Sequence, residues 1–151
     1  MALSKLLLQF RFVKAYLIAL YFLEKYIGGL LFLTIRVWMA RIFWDSGVCK
    51  AQSWPNTLML FKYEYKVPVI SPDLAAYLAT ITELTCPILL VIGFASRLAA
   101  IPMLIMTAVI QCTYLCLNEH LYWAMLLGLI VCFGPGLFSA DFLFRKWVLQ
   151  K

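Results

Sequence analysis

Long apolar runs closed by polar or helix-breaking clusters organise this chain. They predict membrane spans at about residues 26–48, 74–94, 98–117 and 121–138, because about 20 apolar residues rising ~1.5 Å each cross a hydrocarbon core of about 30 Å. Ser71-Pro72-Asp73 reads as the start of the second span, Ala95-Ser96-Arg97 and Asn118-Glu119-His120 as tight turns, and Gly134-Pro135-Gly136 as a helix stop. The fourth span is short before that stop. It either continues through it or gives way to a terminal helix from Asp141. Residues 49–73 break the apolar pattern and predict a structured loop with a short helix at 56–61, whose Trp54, Phe61, Tyr63 and Tyr65 suit the headgroup level. That loop reads either as an aromatic anchor or as a lid over a pocket between helices. The expected fold is all-α, a polytopic four-transmembrane-helix bundle with a structured loop between helices 1 and 2. Residues 1–25 read as an interfacial segment or the start of a long tilted span, 26–145 as the membrane domain and 146–151 as a tail.

Charges interrupt the first span and make it the informative one. Arg36, Ala40, Phe43, Gly47 and Lys50 recur at steps of four and three and so share one face, small and polar enough to meet another helix. Arg41 and Asp45 form an i,i+4 pair on a different face, a local structural pair that compensates itself. In the second span Ala76, Thr80, Glu83 and Pro87 share a face. Arg36 and Glu83 lie at similar distances from their span ends, which places both near the midplane and predicts that they pair or that Glu83 is protonated.

Composition supports a membrane domain. Of 151 residues, 65% are apolar and 13% charged, far from the usual balance of a soluble domain. The net charge of +6 comes without a basic run or nucleic-acid motif, so no nucleic-acid partner is expected. Cys49, Cys86, Cys112, Cys116 and Cys132 lack zinc or disulfide spacing and read mainly as small packing residues. Cys112 and Cys116 are i,i+4, which leaves a functional dithiol open but is not the Cys-x-x-Cys arrangement. No metal site or haem ligand pair is expected. With both termini in the cytoplasm, Lys5, Arg11, Lys14, Lys25, Arg97, Arg145, Lys146 and Lys151 face inward against Lys50, Lys62 and Lys66 outward, as the positive-inside rule requires.

The order Arg36, Phe43, Ser46-Gly47, Lys50, Gln52-Ser53-Trp54, Tyr63-Glu64-Tyr65, Val67-Pro68, Ala75-Ala76-Tyr77, Glu83, Pro87, Gly93, Arg97, Gly134-Pro135-Gly136 and Asp141 resembles the DoxX family of small bacterial membrane proteins. The resemblance covers about residues 30–145 and implies a four-helix inner-membrane protein. Some relatives are implicated in thiol and quinone redox systems or oxidative-stress complexes with soluble partners. Two departures stand out. Phe133 occupies a position that similar sequences give to histidine, and Asp45 one where a basic or neutral residue is expected.

Taken with the buried ionisable cluster, the resemblance implies an accessory subunit or scaffold of a membrane redox system, rather than an enzyme by itself. Its candidate ligand and polar-core residues are Arg36, Lys50, Glu64, Tyr65 and Glu83, an intramembrane ionisable cluster that reads as a functional site. The cofactor is left open, between a quinone, which the resemblance implies, and another amphipathic ligand. The expected partners are the lipid bilayer, proteins of a redox complex and further copies of the chain. The alternatives are a small transporter or channel-like oligomer, a stand-alone membrane oxidoreductase, or a polar cluster that only sets helix register.

Overall fold

The computed structural model describes residues 2–67, 69–114 and 117–149. All its regular elements are helical, with no strand among the described residues. Helix α1 (Ala2–Phe22) passes through a π-helical turn, Leu23–Ile27, into α2 (Gly28–Gln52). Residues 2–25 and the first expected span are therefore one continuous helical course. The short α3 (Trp54–Met59) continues into a second π-helical turn, Leu60–Tyr65, where the pattern predicts a single short helix. Then follow α4 (Pro72–Ile92), α5 (Ser96–Thr113), α6 (Asn118–Phe133) and α7 (Ala140–Leu149).

Local chemistry explains the boundaries. Ser71 caps α4 by accepting the Leu74 amide, and Pro72 occupies the first turn, where no amide is required. Gly93 closes α4 at φ +76°, a left-handed conformation that costs glycine little. The turn expected at Asn118-Glu119-His120 lies earlier, since α5 ends at Thr113 and Asn118 is already helical. At Gly134 the chain breaks, and the terminal helix starts separately at Ala140.

Helix α2 packs on α4 and α6, and α5 packs on the same two, which closes a four-helix ring. Its centre is apolar, built on Met39, Phe43, Leu90, Met103, Leu127 and Ile130. A second cluster seats the α3 region on Ala75, Ala76 and Ala79 of α4 through Phe61. Three helical courses are long and apolar enough to cross a membrane, Phe12–Gln52, Pro72–Ile92 and Ser96–Thr113, and Asn118–Phe133 is a shorter apolar helix. The chain is a membrane protein with many large apolar side chains turned outward, including Ile81, Ile88, Leu98 and Ile105.

Close approach fixes the register of α2 on α4. A Cβ on Gly47 would lie 2.8 Å from Glu83 Cβ and 3.1 Å from its backbone carbon, and one on Gly93 would collide with the Arg36 guanidinium. Gly128 has open space around its Cβ position among the described residues. Gly47→Ala is therefore expected to lower the melting temperature in detergent by several degrees, while Gly128→Ala is neutral or stabilising, as ~1 kcal/mol of helix propensity allows. Thermal unfolding of the two variants beside wild type checks this.

Candidate functional site: a buried ion pair beneath an apolar cavity

The inward face of α2 carries its charges to two different places. At one end Lys50, 8% exposed, meets Glu83, 2% exposed. The Lys50 ammonium donates to both Glu83 oxygens at 2.8 Å and to Ser46 Oγ at 2.7 Å, and Ser46 donates to Glu83 Oε1 at 3.2 Å. All three ammonium protons thus have partners. Thr57 of α3 donates to the Lys50 carbonyl at 3.0 Å and ties the loop to this corner.

Arg36 is not the partner of Glu83. The close contact of Gly47 with Glu83 sets Arg36 level with Gly93 instead, about 16 Å farther along α2. There it is fully buried and donates to the carbonyls of Leu90, at 3.4 Å, and Phe138. The Leu90 carbonyl belongs to the last turn of α4, where intrahelical donors run out. Asp141 lies within electrostatic reach of Arg36 and accepts the Ala95 and Ser96 amides at 2.7 and 3.0 Å. The same residue returns its own amide to the Gly93 carbonyl. A carboxylate at the exposed amides of a helix start is well placed for the helix dipole. Equal distances from the span ends suggested the wrong pair because the helices are offset along each other.

Beside the ion pair lies a cavity of about 330 Å³ between α4, α5 and the loop. Lys50 and Glu83 form its charged end, while Ala79, Ile105, Met106 and Val109 contribute to apolar walls. Leu78 and Ile105 line it and are also exposed, so the cavity opens sideways between α4 and α5 on a lipid-facing surface.

Tyr65 also lines the cavity. Its ring meets Phe61 and Tyr114 edge to face, with centroids 4.9 Å away in each case. Burial, followed by the nearby charge of Glu83, pushes its phenol up to about 12, so the hydroxyl keeps its proton at neutral pH. Glu64 is exposed and turns from the cavity to accept a hydrogen bond from the Tyr114 phenol, which raises that group's pKa.

Of the residues singled out from the sequence, Lys50, Tyr65 and Glu83 come together at the cavity, whereas Arg36 and Glu64 stand elsewhere. Arg41 and Asp45 form their pair at 3.8 Å on the outer face. Cys112 is exposed, and Cys116 lies outside the described residues, as do Pro68, Lys151 and the side chains of Lys5 and Arg11. Sequence reasoning missed Ser46 as a ligand of the ion pair, although its place one turn before Lys50 was a usable signal. It also missed the Gln111–His120 contact at 2.9 Å, which links α5 to α6.

The bundle and its buried charges define a small polytopic helical membrane protein. The DoxX family model matches residues 31–115, more than half of the chain, and the chain belongs to that family. No curated protein and no solved structure matches it.

Removing one member of a buried pair leaves an uncompensated charge and costs about 3–5 kcal/mol, whereas replacing both by apolar groups is often neutral. Glu83→Gln should therefore melt well below wild type, and Lys50→Met/Glu83→Leu close to it. Glu119→Gln, at the exposed start of α6, should leave melting unchanged. Unfolding curves of the three variants in one detergent check the order.

Proposed function

We propose that this protein is an accessory subunit or scaffold of a quinone or thiol redox system in the bacterial inner membrane. In this reading the cavity holds the ring of a quinone-like amphipath. The observation that carries the proposal is the combination of an apolar chamber of about 330 Å³, open toward lipid, with the Lys50–Glu83 pair at its end. That volume falls at the small end of ligand pockets and suits one ring, with an isoprenoid tail left between α4 and α5.

The polar groups fit a neutral head. Lysine and glutamate cancel as charges, so the end of the chamber favours a dipole over an ion. The protonated Tyr65 hydroxyl can donate to a carbonyl, and Glu83 Oε2 retains room to accept from a hydroxyl. An oxidised ring would use the first contact and its reduced form the second. The redox assignment draws on the DoxX resemblance, while the amphipathic ligand class draws on this geometry.

Native mass spectrometry of the protein released from membranes in mild detergent tests the reading. Wild type should retain a quinone or carry a redox protein, and Ala79→Phe, which places a ring in the chamber from the wall of α4, should lose the bound molecule. A wild-type chain free of both, or an Ala79→Phe chain that retains the adduct at wild-type occupancy, would overturn the proposal. The same reading takes both termini to be cytoplasmic, supported by the balance of Lys and Arg between the two sides. A fluorescent protein fused after Lys151 should then be bright, and an alkaline phosphatase fused there inactive.

A further inference from the structure

Helix α2 is polar on its outward face as well. Thr34, Trp38, Arg41, Asp45, Val48 and Gln52 follow one another at alternating steps of four and three, the 3.5-residue repeat of a helix seam. All are exposed except the half-buried Val48. The Arg41 and Asp45 side chains, 83% and 69% exposed, reach one another at 3.8 Å along α2.

Depth makes this exposure costly. With Gly47 level with Glu83 and Arg36 level with Gly93, Asp45 stands beside the stretch of α4 around Thr85. That is about 10 Å inside the end of the α4 span. Charged side chains facing acyl chains at such depth are rare and normally face protein or water. Next to the stripe a groove of about 450 Å³ runs between α2 and α4, lined by Val37, Trp44, Pro87, Ile88 and Val91.

We propose that this face binds a second copy of the chain, α2 against α2 about a two-fold axis normal to the membrane, with Arg41 of each copy bridging to Asp45 of the other. The charges identify the occupant. A two-fold interface must be complementary to itself, so that each residue meets its counterpart in both directions. One cation and one anion a single turn apart meet that requirement.

Two copies inserted in the same sense run their α2 helices parallel, and the offset between Arg41 and Asp45 is then about 6 Å, within reach of an arginine side chain. A seam of this repeat gives the left-handed crossing common among membrane helices. Trp38 and Trp44 supply bulk beside the charges, and the α2–α4 groove supplies room for it. The surface lies on the opposite side of α2 from Lys50 and does not depend on what the cavity holds.

Co-expression of two full-length copies with different affinity tags tests the interface. Wild-type copies should co-purify in mild detergent. Arg41→Asp, paired with itself, and Asp45→Arg, paired with itself, should each lose co-purification about tenfold or more, since each places like charges across the seam. Arg41→Asp co-expressed with Asp45→Arg should recover it, because the two chains then present opposite charges at both positions. Recovery would also show that both variants fold.

Trp38→Cys in an otherwise unaltered chain should form a disulfide-linked dimer under mild oxidation in membranes, beyond any dimer that the wild-type cysteines give. Wild-type copies that fail to co-purify, single variants that pair as well as wild type, a foreign protein retained in place of the second copy, or no added Trp38→Cys dimer would overturn the proposal. None of these readouts requires a quinone, so failure here is distinct from failure of the ligand reading.

Discussion

The Lys50–Glu83 pair is the interaction on which the bundle turns. Taking two ions out of water costs several kcal/mol each, and their attraction repays this only with good geometry and further hydrogen bonds. Lys50 meets both carboxylate oxygens while Ser46 bridges the two residues. That arrangement needs α2 and α4 nearly in backbone contact, which Gly47 permits directly beside Glu83. The helix register follows from this fit. It also brings Gly93 to Arg36, so a constraint at one end of the bundle determines what the other end must accommodate.

At that other end the solution is different. Arg36 is held mainly by carbonyls left over where α4 ends and where the chain passes Phe138, while Asp141 spends its oxygens on the first amides of α5. The Gly134-Pro135-Gly136 stop makes this possible. It ends α6 early enough for the chain to fold back over Gly93, where Ser139 packs against the turn. Charge is neutralised across a small group of backbone dipoles and one carboxylate, instead of by a single ion pair.

Much of this was legible in the residues, and the failures have one cause. Helical spacing identified the inward face of α2, the outward Arg41–Asp45 pair and the proline-led start of α4, because each depends on neighbours within one or two turns. The partner of Glu83 depends on how far two helices slide past each other. Depth counted from apolar run lengths carries an uncertainty of several residues, and α2 extends well beyond the end of α4. Gly47 was the better guide to register, since a glycine on a helix face marks where another backbone comes near. Glu64 misled for a related reason: it engages the Tyr114 phenol at the end of α5, a partner fifty residues away that helical spacing within the loop cannot reveal.

The two faces of α2 cannot be tuned independently. The inward face aims Lys50 at the cavity, and on the same helix the outward Asp45 sits less than two turns from it, with Arg41 one turn beyond. A second copy that engages Arg41 and Asp45 fixes the rotation of α2 about its own axis. That rotation determines whether Ser46 and Lys50 still meet Glu83, because a turn of about 20° moves a side-chain tip by an ångström or more, enough to weaken a hydrogen bond. Pairing of two chains would thus hold the charged end of each cavity in shape. The dimer seam would support the ligand site through the helix between them, without any residue shared by both.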